Sequence, residues 1–321
     1  MWLHPSFGSL RDSGLRFCRA LRSTGFVTLL VVGAPSVVHA QDMEPRSYSN
    51  APVGLNFLVA GYAYTRGGLA FDGALPVTDP DLNMSSAVLA YGRVLDIRGQ
   101  SAKLNVAVPL SSLTGTADYA GQPIQRDVTG LGDPLVKLSV NLYGAPALSL
   151  KEFAAYEQDL IVGASLRVTA PLGNYDNSRL VNLGTHRWSF KPELGVSKAL
   201  GPWTFEAAAA VTLYTTNDDF FNGSTRSQDP LYSVEGHAIY SARSGIWGSF
   251  DVTYFAGGRT TIDGTLNNDL QQNWRLGATL TFPVDRFNSI KVYASSGVAA
   301  RTGNDFDLVG LAWQIRWGAG L

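Results

Sequence analysis

From Val53 to Trp317 the chain sets apolar side chains at one parity and polar ones at the other, in runs of about ten residues separated by polar links. A period of two belongs to a β-strand with one face against an apolar medium. In one run Trp203, Phe205, Ala207, Ala209, Val211 and Leu213 share a face, with Thr204, Glu206, Thr212 and Tyr214 opposite. In another, Trp274, Leu276, Ala278, Leu280 and Phe282 oppose Asn273, Arg275, Thr279 and Thr281. In a third, Val136, Leu138, Val140 and Leu142 oppose Lys137, Ser139 and Asn141. Twelve strands are predicted, over about 53–66, 82–95, 101–111, 132–143, 158–170, 186–198, 202–215, 230–242, 246–256, 271–283, 289–300 and 306–317. One alternating segment fits a soluble sandwich equally well. Twelve in succession, with almost no helical period between them, predict an all-β antiparallel transmembrane barrel.

The links add a second rhythm. Those at Leu95 to Ser101, Leu200-Gly201, Arg243-Ser244-Gly245 and Pro283 to Asn288 are short, whereas 67–81, 112–131, 171–185, 216–229 and 257–270 are long and polar. Short turns on one rim and loops on the other are the habit of such barrels, with the turns facing the periplasm. The link at 145–157 is long for a turn and carries Leu150 to Tyr156, a candidate amphipathic helical stretch; a different reading there gives ten or fourteen strands. Trp188, Trp203, Trp247, Trp274, Trp313 and Trp317, with Tyr143, Tyr232 and Tyr240, fall near strand ends and are expected to form two aromatic girdles.

Composition agrees with the pattern. Charged residues make up 16 % of the chain beside 34 glycines, and no segment approaches the length of an apolar helical span. Residues 1–40 carry Arg11, Arg16, Arg19 and Arg22, an apolar stretch from Phe26 to Val38 and a small-residue cleavage site at Val38-His39-Ala40, which predict a signal peptide. Residues 41–52 are expected to be a short periplasmic segment and 53–321 the barrel. The single cysteine, Cys18, falls in the leader, so the exported chain is expected to hold no disulfide. Without the leader's four bases and one acid, 21 basic and 25 acidic residues remain, a net charge of −4 that offers nothing to nucleic acid.

With the apolar parity toward lipid, the other parity names the lumen. It carries Arg93, Lys103, Lys137, Arg167, Arg187, Lys191, Glu193, Glu206, Glu235, His237, Asp251, Arg275, Lys291 and Arg316. The acids cluster on the sixth to ninth predicted strands and the bases are scattered over the second to sixth and the tenth to twelfth, an arrangement expected either to pair internally or to set a transverse field for a solute. Tyr62, Tyr64, Tyr91, Tyr214 and Tyr293, with Leu58 and Leu89, are assigned to the same face.

Several stretches resemble a known family. Thr129-Gly130-Leu131-Gly132-Asp133-Pro134, Val168 to Tyr175, Asn182 to Pro192, Leu213 to Phe220 and the opening Ala51 to Asn56 are similar in order and spacing to the family of the phenol-degradation meta-pathway transporter. The resemblance covers about 50–317. It implies an outer-membrane barrel concerned with uptake of small solutes, hydrophobic or aromatic ones among them, and therefore lipid, lipopolysaccharide and the barrel assembly machinery as partners. The tail departs from the common barrel pattern: alternation stops at Trp317, so Trp317 or Leu321 is expected to act as the terminal assembly signal.

No cofactor, metal or catalytic residue is predicted. Gly130 to Asp133 precedes a strand, not the helix N-terminus a phosphate cradle needs. Asn217-Asp218-Asp219 and Asn304-Asp305 with Asp307 offer oxygen ligands but read as solvated rims. The alternative class is a lipid-modifying barrel enzyme, a lipase or acyltransferase, built on His237 with Glu235 as its orienting group; a closed structural barrel is a further one. His237 and Glu235 lie two apart on one strand, a poor arrangement for convergence.

Overall fold

The computed structural model describes residues 44–68, 72, 74, 75, 77–303 and 305–321. The predicted signal peptide, Cys18 and the first residues of the 41–52 segment lie outside the described residues.

Strand β1 (Leu55–Gly67) is followed by β2 (Thr78–Ile97), β3 (Gln100–Tyr119), β4 (Gln122–Leu131) and β5 (Leu135–Tyr143). A four-residue helix, α1 (Leu150–Phe153), precedes β6 (Leu160–Thr169), β7 (Ser189–Leu200) and β8 (Trp203–Tyr214). Then come β9 (Asn217–Phe220), β10 (Ser224–Gln228), β11 (Leu231–Ser241), β12 (Trp247–Gly257), β13 (Thr260–Ile262) and β14 (Thr265–Leu266). Strands β15 (Gln271–Pro283), β16 (Asn288–Ala299) and β17 (Phe306–Gly318) end the chain. Each wall strand pairs antiparallel with the next, and β17 returns to β1 in unbroken register from Leu55↔Gly318 to Gly67↔Phe306. The sheet is therefore a closed barrel. β4 and β5 both pair with β3, one above the other, and together form one stave, so the wall has the predicted twelve staves.

Closure explains the parity. The side chains of Leu276, Leu280, Phe250, Leu194 and Leu311 point outward and are exposed, while Asn273, Arg275 and Thr279 on the same staves are buried within. An exposed apolar band is tolerable only against hydrocarbon, and all backbone groups of such a wall must pair within the ring. No described helix is long and apolar enough to cross a membrane. Outward Trp188 and Trp274 stand toward the rim of the long loops, and Trp203, Trp313 and Trp317 toward the rim of the short turns. Trp247 departs from the predicted girdle. It takes the inward parity of β12 and is 2 % exposed, beneath the guanidinium of Arg46 at 4.7 Å.

Three predicted loops contain strands. The 112–131 segment is the β3–β4 hairpin, turning at Ala120-Gly121, both with positive φ. The 216–229 and 257–270 links form a small sheet in the order β14-β13-β10-β9. These strands carry polar side chains on their outward positions because they stand above the lipid, so they lack the apolar parity that marks the wall. The long turn-rim link does contain its short helix, capped by Ser149 and Glu152.

The described part of the 41–52 segment, from Glu44, runs up inside the barrel: Tyr48, Ser49, Asn50 and Ala51 are all buried. The long 144–159 link is its collar, since Val53 donates to the Leu148 carbonyl (2.8 Å) and Asn50 to that of Pro146 (3.1 Å). The segment doubles back at Arg46, whose φ of 68° is costly for a residue other than glycine and is held by the contacts around it.

Leu276→Arg should cost about 2–4 kcal/mol of folding free energy in lipid, as a charge against hydrocarbon does. Thr212→Arg on the inward parity should cost far less. Urea unfolding from liposomes checks this; equal losses would refute the assigned parity.

Candidate functional site: the lumen and its inner segment

Adjacent strands place inward residues in level rows. One row runs Asn141–Gly163–Gly195–Ala208–Glu235–Thr253–Arg275 from β5 to β15. The row on its turn-rim side runs Ile161–Ser197–Glu206–His237–Asp251. On its loop-rim side lie Ser139, Ser165 and Glu193, followed by Lys137, Arg167 and Lys191. These rows bring most of the predicted luminal charges into one belt.

The belt alternates in sign. Lys137 Nζ lies 2.7 Å from Glu44 and 3.7 Å from Glu193; Lys191 Nζ lies 3.6 Å from Glu193 and 2.9 Å from Glu235. His237 continues it, with Nε2 3.9 Å from Glu235 and Nδ1 2.8 Å from Asp251. Arg167 sits within the field of Glu193 and Glu235. All these groups are largely withdrawn from solvent, where an ion left without its partner costs about 3–5 kcal/mol.

The inner segment completes the belt. Besides the Glu44 carboxylate on Lys137, the Arg46 amide donates to Glu206 (2.7 Å), and Lys103 donates to the Ser47 carbonyl (3.2 Å). Tyr48 inserts its ring against Gly163 and Gly195 and donates its hydroxyl to Glu193 (2.7 Å). The Arg46 guanidinium bonds Ser241 and covers Trp247. What remains open between Glu44, Tyr48, Lys137, Glu193, Glu206 and His237 is a cavity of about 10 Å³, room for roughly one water.

Opposite the belt the lumen is apolar. Val59 and Ala63 on β1, Leu82, Met84 and Val88 on β2, and Phe306 and Leu308 on β17 form one cluster with Leu75, Leu180, Val181 and Phe220 from the loops. Those loops are drawn in by a second buried charge cluster. Arg226 on β10 makes a two-pronged contact with Asp72 (2.5 and 3.0 Å) and donates to the Ala74 carbonyl, with Arg187 3.6 Å from the same carboxylate. Arg187 also stacks on Tyr214, 4.4 Å from the ring centroid.

The remaining predicted positions separate. Tyr62, Tyr91 and Arg93 are not luminal: they point outward and are exposed, as are Tyr64 and Leu89, with the half-buried Leu58 on the same parity. The β1 and β2 strands are apolar on both faces, so alternation alone could not tell which faced lipid; Val59, Val88 and Ala90 are the inward set. Tyr91 joins the turn-rim aromatics, its ring 6.2 Å from that of Trp317, Tyr62 bonds Ser85 on the outer face, and Arg93 lies near the Arg98-Gly99 turn, where the lipid headgroups make an outward charge cheap. Tyr214 and Tyr293 do face inward, Tyr293 against Gly310. Lys291 is inward, 5.6 Å from the Tyr293 ring centroid. Arg275 packs on Phe306 and donates to its carbonyl (3.0 Å), away from the belt, and Arg316 donates to the Arg286 carbonyl (2.8 Å) at a turn. Glu44, Arg46 and Tyr48 carry no signal in the sequence because they precede the first alternating run, and Gly163 and Gly195 become a pair only when β6 and β7 align.

The shared motifs prove to be structural. Asp133, 1 % exposed between β4 and β5, accepts from the amides of Gly173 (2.9 Å) and Thr185 (2.8 Å) and from the Thr185 hydroxyl (2.7 Å). A Cβ on Gly173 would meet the Gly132–Asp133 backbone at 2.8 Å, and one on Gly184 the Gly173 backbone at 2.8 Å. Asn217, expected on a solvated rim, is buried and bonds His186, Tyr175 and Thr185. No cluster able to hold a metal occurs among the described residues. His237's partner is Asp251 on the neighbouring strand, not Glu235 as its closest contact. Ser249 donates to that same carboxylate (3.1 Å), not to the ring, so it does not pair with His237.

A closed twelve-stave wall, an exposed apolar band and a charged interior define an outer-membrane β-barrel. The chain belongs to the family described as "Putative MetA-pathway of phenol degradation", whose model matches residues 70–315. Its fold is similar to that of an outer membrane channel from Pseudomonas putida F1, at 20 % identity and a TM-score of 0.72, covering 86 % of this chain and 100 % of that one. The β domain of the Bordetella autotransporter BrkA is a looser likeness, at 9 % identity and a TM-score of 0.46 over 82 % of this chain and 99 % of that one. No curated protein matches the chain.

Burial alone would raise the Asp72 pKa, but Arg226 and Arg187 outweigh it and hold the carboxyl at about 2. A depressed acid stabilises the folded state above its ordinary pKa and loses that effect as pH falls through the folded value, here between about 4 and 2. The shift corresponds to roughly 2 kcal/mol. Hydrogen exchange around Ala74 and Leu75, corrected for intrinsic rate, should therefore accelerate between pH 4 and 2. Asp72→Asn should remove that acid dependence; the same acid response in both proteins would refute the latch.

Proposed function

We propose that the protein is a channel of the outer membrane for small solutes, hydrophobic and aromatic ones included, and that the state described is its closed one. The carrying observation is the make-up of the lumen. A charged belt faces an apolar wall inside a closed barrel, and the chain's own inner segment and loops pack between them through noncovalent contacts. A solute with an apolar body and a polar group would meet both surfaces. The apolar cluster of Val59, Met84, Val88 and Phe306 supports the hydrophobic part of this reading. The family description and the channel named in the Pseudomonas relative support passage itself.

In this reading the predicted leader exports the chain, the barrel assembly machinery inserts it among lipid and lipopolysaccharide, and the long loops face outward. Lys103, Lys137, Arg167, Lys191, Glu193, Glu206, Glu235 and Asp251 shape the passage rather than carry out catalysis, and no cofactor takes part. The lipid-modifying alternative is disfavoured by the enclosure of His237 inside the barrel, away from the lipid-facing surface. A permanently closed structural barrel is the second reading, favoured by the 10 Å³ left in the belt.

Conductance in planar bilayers separates the readings. Wild type should be mostly closed, and Glu44→Gln with Arg46→Ala, which removes two of the segment's side-chain anchors to the wall, should raise the open fraction at least fivefold. Neutralising Lys191 in that background should change ion preference. Heat-modifiable, folded variants that pass neither salt nor phenol would favour the structural barrel, and phospholipid turnover lost in His237→Ala would favour the enzyme.

A further inference from the structure

The seat of Tyr48 joins a recess in the wall to a buried charged acceptor. Gly163 and Gly195 are direct register partners on β6 and β7, flanked in the same row by Asn141 and Ala208. A Cβ on Gly163 would come within 2.2 Å of the Tyr48 ring, and one on Gly195 within 2.1 Å. The wall is thus recessed by two missing side chains to the depth of one aromatic ring. At the end of the recess Glu193, buried and braced by Ser165 (3.4 Å) and by Lys137 and Lys191, accepts the phenolic hydroxyl at 2.7 Å. Ile161 and Ala208 supply apolar flanks. A flat slot with a single charged acceptor at its end is a recognition site for a ring bearing a hydroxyl.

We propose that this recess is a binding subsite for monocyclic hydroxyaromatic compounds, occupied in the described state by the chain's own Tyr48. The inference rests on the channel reading for its purpose and names a substrate class for it. A free phenol would lay its ring on Gly163 and Gly195 and donate its hydroxyl to Glu193. Because Tyr48 and the ligand need the same space, they exclude one another, so seating the ligand unseats the segment that fills the belt. Competition lowers the apparent affinity by the fraction of molecules whose recess is free. A ring without a hydroxyl leaves Glu193's carboxylate without that donor in a desolvated slot, and such sites discriminate strongly against the missing group.

The probe is p-cresol, the side chain of tyrosine as a free molecule, titrated by calorimetry into the refolded full-length protein in detergent, with toluene as control. Tyr48→Ala should bind p-cresol at least tenfold more tightly than wild type does, and at least tenfold more tightly than it binds toluene. Adding Gly195→Ala to Tyr48→Ala returns a methyl to the slot and should abolish the gain; alanine is compatible with that strand, and heat-modifiability confirms folding. Folded Tyr48→Ala that binds p-cresol no better than wild type, or no better than toluene, overturns the subsite, as does binding unaffected by Gly195→Ala. Salt conductance of the same variants is read separately. Conductance without p-cresol binding rejects the subsite and leaves the channel, whereas binding without conductance upholds the subsite and rejects the channel.

Discussion

Everything in this molecule depends on the pairing of its first wall strand with its last. In hydrocarbon an unpaired backbone amide or carbonyl has no solvent to turn to. The thirteen paired positions from Leu55↔Gly318 to Gly67↔Phe306 remove the only two edges that the consecutive hairpins would leave. Once the ring is closed, side-chain direction is no longer free. Each residue faces either lipid or the interior, and the alternation of Leu276 and Leu280 with Arg275 and Thr279 is the sequence's record of that choice.

Closure then creates the second problem, an interior in which charges have little water. The acids predicted to cluster do so: Glu193, Glu206, Glu235 and Asp251 lie on the successive wall strands β7, β8, β11 and β12. They do not stand against an unbroken basic wall, because Lys137 and Lys191 reach between them and His237 joins the end of the chain of charges. The resulting belt neutralises itself locally and leaves a demand for further partners. Glu44, the Arg46 amide and the Tyr48 hydroxyl meet part of that demand from within the same chain.

The wall was legible in the sequence because lipid imposes the same parity on every stave. Legibility failed where that constraint weakens. Beyond the lipid, β4, β9, β10 and the end of β3 have polar outer faces and looked like loops. On β1 and β2 both faces are apolar, since the interior beside them is packed with Leu75 and Phe220, so Tyr62, Tyr91 and Arg93 were placed inside when they lie outside. Trp247 looked like a girdle residue by its position at a strand end, yet it serves as the floor under Arg46. The belt residues could be named from parity. Which of them meet could not, because register couples strands distant in sequence: Gly163 and Gly195 become neighbours only when β6 and β7 align.

The glycine-rich stretches that carry the family resemblance stand apart from the belt. Asp133, Gly173, Gly184 and Thr185 form a clasp where β4 departs from the line of β5, and each glycine is fixed by the closeness of another backbone. These residues hold the loop rim in shape and touch no part of the belt. The chemistry lies instead in positions with weak sequence signals: two small residues, one braced carboxylate and a tyrosine ahead of the first strand. The difference follows from the forces involved. A clasp needs several backbone contacts at fixed spacing along the chain, which leaves a motif. A slot for a ring needs only absent side chains and one acceptor, brought together by the sheet.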